Sequence, residues 1–170
     1  MPRVRYEVAM SLDGYIADPN DGYDWIVHDP DIDFAEMFAQ FDMFWMGRRT
    51  YEMMARAGRA EIPGKRIVVF SRTLQQRDYP KVMAEVEPKS LATLRDQASK
   101  DVWLFGGGSL FRSLLEVGLV DTVEVAIVPI LLGSGLPFLP ATPHRQKLKL
   151  TSQKTYKKSG LVSLQYDIEH

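Results

Sequence analysis

Short runs dense in β-branched and aromatic residues recur along the chain. They are VRYEVAM (4–10), MFWMG (43–47), RIVVFS (66–71), DVWLFG (101–106), TVEVAIVPI (122–130), KLKLTSQKTY (147–156) and LVSLQYDIE (161–169), with a weaker one at VMAEV (82–86). Most are bounded by Gly, Pro, Asp or Ser, and so read as strands. Between them the period changes from two to near 3.6. DIDFAEMFAQF (31–41) sets Ile32, Phe34, Ala35, Phe38 and Phe41 mostly on one face, with acidic residues in its first turn. RRTYEMMARA (48–57) predicts a second helix, SLATLRDQAS (90–99) a third with Ser90 as N-cap, and SLFRSLLEVG (109–118) a fourth ended by Gly118. Strands alternating with helices predict an α/β fold, a mostly parallel sheet with helices on both faces. The last two strands alternate polar and apolar positions around a turn near Lys157–Gly160, which predicts an antiparallel C-terminal hairpin and hence a mixed sheet.

Composition narrows the function classes. A length of 170 residues without repeats or a linker fits one domain over 1–170. A net charge of −1 offers no basic field for nucleic acid or an anionic membrane, although local basic clusters remain suited to a small phosphorylated ligand. With no cysteine there is no disulfide, thiolate catalysis or cysteine-bound zinc, and no carboxylate/histidine spacing suggests another metal. The charged N-terminus and the absence of a bilayer-long apolar run lead to the expectation of a cytoplasmic protein.

Three strand-to-helix or strand-to-loop turns carry the candidate chemistry. In LFGGGSLFRS (104–113), glycines pass from a strand to a helix, which suits either a tight turn or a backbone cradle for phosphate. In WMGRRTYE (45–52), Gly47 turns the chain, and Arg48, Arg49 and Thr50 fill the next helix's first turn. Cations there oppose the helix dipole; a bound anion would relieve that, and a solvated basic patch is the alternative. In VVFSRTL (68–74), Ser71 and Arg72 follow a buried strand and join a hydroxyl to a guanidinium fork, or simply open a loop. Ligands of open α/β sheets gather at the carboxyl ends of strands, where all three turns fall.

Four blocks in order, VAMSLDGYIAD (8–18), FWMGRRTYE (44–52), VVFSRTL (68–74) and DVWLFGGGSLFRSLLEVGLVDTVEVAIVPILLGSGLPFL (101–139), resemble the dihydrofolate reductase-like superfamily. Within it they are most similar to the riboflavin-biosynthesis branch, the RibD C-terminal reductase domain. The resemblance implies a homodimer and NADPH as hydride donor. It implies that Gly47, Arg48, Arg49 and Thr50 hold phosphates and that Ser71 and Arg72 clasp the adenosine 2′-phosphate. Gly107, Gly108, Ser109 and Leu110 would meet the pyrophosphate and nearby ribose. Backbone atoms of Ala9 and Ile16 would bind the nicotinamide carboxamide, under a loop formed by SLDGYIADPNDGYDW (11–25). Val8 stands where riboflavin-type reductases usually have lysine, and Phe111 where dihydrofolate reductases have tyrosine, so the substrate is not implied to be the usual one.

Hydride transfer also needs a proton source. Dihydrofolate reductases place a carboxylate at the start of the first helix; by that resemblance Asp31, sixteen residues before Gly47, is the catalytic candidate among Asp29, Asp31 and Asp33. Acidic residues there also stabilise a helix unaided. Asp13 reads as a turn former or as a loop-closing group, Trp25 as a packing residue or a border of the substrate, and His28 as a possible relay. LLGSGLPFLP (131–140) reads as a loop near the pocket or at a dimer contact. The resulting expectation is an NADPH-dependent reductase of a small heterocyclic or carbonyl substrate, similar to 5-amino-6-(5-phosphoribosylamino)uracil reductase and dihydrofolate reductase. The alternative is a non-catalytic NADP(H)-binding or sensing module.

Overall fold

The structure is a computed structural model that describes residues 1–74, 82–83 and 88–170. Eight strands form one sheet in the order β5-β4-β3-β6-β1-β7-β10-β9. The strands are β1 (Val4–Ser11), β3 (Phe41–Gly47), β4 (Arg66–Phe70), β5 (Val82–Met83), β6 (Asp101–Gly106), β7 (Thr122–Val128), β9 (Leu148–Tyr156) and β10 (Leu161–Ile168). The ladders from β5 to β7 are parallel, and β10 runs antiparallel to both β7 and β9. The predicted mixed sheet with an antiparallel C-terminal hairpin is therefore present. Residues 84–86 of the weak strand expectation lie outside the described residues.

Helices cover both faces. α1 (Phe34–Ala39) and α2 (Arg48–Arg56) pack Met37, Phe38, Tyr51 and Met54 against Phe41, Phe44, Met46, Ile67 and Trp103. On the other face, α3 (Pro88–Arg95) and α4 (Gly108–Glu116) pack Leu91, Leu94, Leu110, Phe111 and Leu114 against Val4, Tyr6, Trp45 and Leu104. β3 is buried on both sides, as a central parallel strand must be.

Three expectations change. The first helix is shorter than 31–41: Asp33 is its N-cap, accepting from the Glu36 N–H at 2.9 Å, and Phe41 already begins β3. Phe34 and Ala35 consequently face solvent, and the apolar face is carried by Met37 and Phe38. Ser90 lies inside the first turn of α3, which starts at Pro88, a residue whose missing N–H costs nothing at a helix start. A second, two-stranded sheet pairs β2 (Tyr15–Ala17) with β8 (Leu136–Pro137), joining two segments read from sequence as loops.

Candidate functional site

The four adjacent parallel strands β4, β3, β6 and β1 end at one edge of the sheet, so their following residues line up there. In spatial order these are Ser71 after β4, Gly47 closing β3, Gly106 closing β6 and the SLDG turn after β1. Neighbouring strands are about 4.8 Å apart, so this row spans roughly 14 Å.

Gly47 and the Gly106–Gly107 pair meet. A Cβ built on Gly47 would stand 3.8 Å from the Gly106 carbonyl oxygen and 3.9 Å from the Gly107 nitrogen. Cβ atoms built on Gly106 and Gly107 would stand 3.7 and 3.9 Å from Thr50 Oγ1. Gly106 has φ +131°, a conformation that side-chain-bearing residues avoid, and the Gly106–Gly107 peptide is cis. α2 and α4 thus begin side by side, and their N-caps Gly47 and Gly107 make no side-chain capping bond. The first bond of α4 runs from the Phe111 N–H to the Gly107 carbonyl, which leaves the N–H groups of Gly108, Ser109 and Leu110 ahead of the helical ladder. Two helix N-termini without side-chain caps around a threonine hydroxyl form a positive, donor-rich notch suited to an anionic group.

Gly108 serves a second purpose. Its added Cβ would lie 2.5 Å from the Pro137 carbonyl oxygen and 2.9 Å from that of Phe138, so this glycine allows the 137–140 segment to press onto α4. Leu110 likewise buries its side chain in the core and presents only backbone to the notch.

Arg48, Arg49 and Arg72 are exposed. Arg49 donates from Nη2 to both carboxylate oxygens of Asp21, at 2.7 and 2.9 Å, tying the 18–25 segment to the start of α2. Ser71 Oγ accepts from the Thr73 and Leu74 N–H groups at 3.2 and 3.1 Å, which shapes the turn that carries Arg72. Ala9 lies in β1, and Ile16 in β2 just beyond the SLDG turn.

That turn is braced from across the chain. Asp13 accepts from Ser11 Oγ (2.7 Å), the Gly133 N–H (2.7 Å) and the Leu132 N–H (3.1 Å), and these bonds hold its carboxyl below the ordinary aspartate range. The LLGSG loop is thereby fastened to the turn after β1, and Gly135, at φ +151°, comes so close to the Ala17 carbonyl that a Cβ would stand 2.1 Å from it. Of the two readings of this loop, the structure shows its packing against 11–17. Trp25 donates from its indole to the Gly22 carbonyl at 3.1 Å, and His28 is exposed, edge-on to Phe34.

The acidic residues before α1 separate into three roles. Asp33 caps the helix. Asp29 is buried and accepts from the N–H groups of Asp31 and Ser159, both at 2.9 Å; these and the Ser159 hydroxyl hold its carboxyl low. Asp31 is exposed and pairs with Lys158 at 2.9 Å on the β9–β10 turn, which also bonds Asp29. Because β10 is antiparallel to β7, this turn reaches the same edge of the sheet, beyond β1. Phe111, in the first turn of α4, is buried and stacks on Tyr6 with ring centroids 4.0 Å apart.

One charged group escaped the sequence reading. Glu7, in the middle of β1, is 6% exposed, pairs closely with Arg5 and sits in register with Glu124 of β7. Burial raises its carboxyl to about 7 against the opposing pull of Arg5. Its sequence, VRYEVAM, gives a signal only through a carboxylate at a position that β-alternation sends to a buried face.

Residues 2–162 match the family of the RibD C-terminal domain. The chain is 30% identical over 177 residues to YyaP of Bacillus subtilis (strain 168), an uncharacterised protein, covering 96% of this chain and 94% of the relative. A Shewanella sp. PV-4 protein attributed to riboflavin biosynthesis superposes with TM-score 0.84 at 23% identity, over 99% of both chains. Dihydrofolate reductase from Enterococcus faecalis, solved with NADP(H) and RAB-propyl, superposes with TM-score 0.70 at 16% identity, over 99% of this chain and 97% of that one. The fold is thus that of dihydrofolate reductase, and the chain belongs to the RibD C-terminal domain family.

Proposed function

We propose that the protein is an NADPH-dependent reductase that delivers hydride to a small heterocyclic or carbonyl substrate. The observation that carries this reading is the order of the turns along the sheet edge. Ser71 and Arg72 stand at β4, the Gly47/Thr50/Gly107 notch at β3 and β6, and Ala9 at β1, with Ile16 just beyond it in β2. That is the order of an extended NADPH: adenosine phosphate, pyrophosphate, nicotinamide. Bound there, the reduced nicotinamide would supply the hydride. Arg72 and Ser71 would hold the 2′-phosphate, and the helix N-termini with Thr50 and Arg48 would neutralise the pyrophosphate. The brace through Asp13 would keep the 11–17 segment in place over the ring.

The second reading is an NADP(H)-binding module without turnover. It is favoured by the state of Asp31, which is exposed and already answered by Lys158 instead of being held in a dry pocket. The readings separate by following NADPH absorbance with dihydrofolate, the aminopyrimidine of the riboflavin route and a panel of cyclic imines and carbonyls. Oxidation of NADPH by a panel member establishes the reductase. Saturable NADPH binding with no oxidation across the panel establishes the module.

A further inference from the structure

A largely buried charge cluster lies on β1, just before Ala9, the residue proposed above to meet the nicotinamide. Glu7, Arg5 and Ala9 alternate onto the same face of β1, the face covered in part by α1 and α2. Glu7 is two residues from Ala9, or about 6.6 Å along the strand. Arg5 is the only cation this cluster holds among the described residues. It pairs closely with Glu7 and lies 3.4 Å from Glu124 Oε2 and 3.5 Å from Asp101 Oδ2. Its guanidinium also donates to Gln40, the C-cap of α1, at 2.7 Å and sits over the Phe41 ring.

One cation faces three carboxylates, so full ionisation would leave two uncompensated negative charges in a largely buried site. A proton relieves this, and the surroundings decide where it sits. Asp101 accepts the Arg3 N–H at 2.9 Å, and Glu124 accepts Ser163 Oγ at 3.2 Å; their side chains are 28% and 27% exposed. The Glu7 side chain is 5% exposed, and its Oε1 is buried with the Arg5 ion pair as its sole partner and no well-formed hydrogen bond. Desolvation therefore falls hardest on Glu7.

We infer that Glu7, not Asp31, gives the proton to the substrate in this reduction. The inference rests on the reductase reading above. As hydride adds to the carbon of a C=N or C=O bond, the electron pair of that bond moves to the nitrogen or oxygen. The Glu7 O–H bond breaks, its proton joins that atom, and the Glu7 carboxylate left behind is reprotonated from water. Arg5 stabilises the carboxylate so formed. The groups facing Glu7 that tune this exchange are Arg5 on its own strand, Glu124 on β7 and Asp101 on β6, and burial keeps the acid protonated up to about pH 7.

The test needs no substrate. Carboxyl carbons of ¹³C-labelled glutamate are followed by NMR against pH in the free protein, with NADPH and with NADP⁺, and the Glu7 signal is assigned by its loss in Glu7→Gln. The expected result is a midpoint near 7 in the free protein. The midpoint should lie roughly one unit lower with NADP⁺ than with NADPH, because the oxidised ring adds a positive charge nearby. A midpoint below 5 in the free protein, or equal midpoints in the two complexes, overturns the inference. Should Glu7→Gln fail to fold, Glu124→Gln keeps the group in place and removes a neighbour that raises it, so the midpoint should fall. Failure of both nucleotides to bind would sink the reductase reading, while the free-protein titration would still report on Glu7. With a reducible panel compound, Glu7→Gln should slow single-turnover hydride transfer roughly 100-fold or more and abolish its decline above pH 7. An unchanged rate and pH profile would leave NADPH reduction intact and remove Glu7 from it.

Discussion

Replacing Gly108 by alanine separates packing from ligand binding within the glycine run. Gly108 is the first residue of α4, and its added Cβ would stand 2.5 Å from the Pro137 carbonyl oxygen and 2.9 Å from the Phe138 oxygen. Both obstacles are backbone, so neither can swing aside as a side chain would. Overpacking of this kind costs about 1–3 kcal/mol, and two backbone contacts place it near the upper end. Alanine's better helix propensity returns at most about 1 kcal/mol. The expected net loss is about 2 kcal/mol, a drop of roughly 4–8 °C in Tm for a chain of this size. Differential scanning calorimetry and urea unfolding of wild type and Gly108→Ala measure it. A neutral or stabilised variant would refute the close approach of the 137–140 segment to α4.

Gly106→Ala meets no clash, since its Cβ would lie an ordinary 3.7 Å from Thr50 Oγ1, but it must adopt φ +131°. The strain should cost about 1–3 kcal/mol in urea unfolding and weaken NADPH binding. Glu7 has its folded pKa raised to about 7, so the fold binds the extra proton and wild-type stability should fall as pH rises from about 4.5 to 7, then level off. Glu7→Gln should flatten that window in urea titrations at successive pH values. Asp29 has its folded pKa lowered, so its contribution is present above the ordinary aspartate pKa and is lost as pH falls through the depressed value; acid titration of Asp29→Asn should lack that part of the low-pH loss. Lys158→Ala breaks an exposed, solvent-screened pair with Asp31 and should leave the urea-unfolding midpoint nearly unchanged, while Asp31→Asn should leave any observed turnover intact.

The parallel strands were legible because each is a short β-rich run closed by a turn former, and the strand-end turns because glycine, arginine and serine recur at their ends. The topology then gathered Gly47, Thr50 and Gly107 into one notch, a proximity that no local pattern contains. The sequence period extends the first helix too far because Phe34 and Phe41 fit it, although Phe34 is exposed and Phe41 belongs to β3. β2 and β8 leave no sequence signal because strands of three and two residues have no period to detect; their pairing depends on Gly135 passing close to Ala17. The packing of Phe111 has no local signature either: its ring stacks on Tyr6, a residue of β1 far away in sequence. Glu7 carries no local signal inside an otherwise strand-like run, because the carboxylates that share its Arg5 partner, Asp101 and Glu124, come from two other strands.

The central claim is that the row of turns at the sheet edge receives one NADPH with its 2′-phosphate at Ser71 and Arg72. Titration of the purified protein with NADPH and with NADH, read by nucleotide fluorescence, tests it most directly. Charge-assisted hydrogen bonds to the extra phosphate should favour NADPH by roughly 10–100-fold, and Arg72→Ala should erase most of that preference. Equal affinity for the two nucleotides, or binding of neither, would contradict the account.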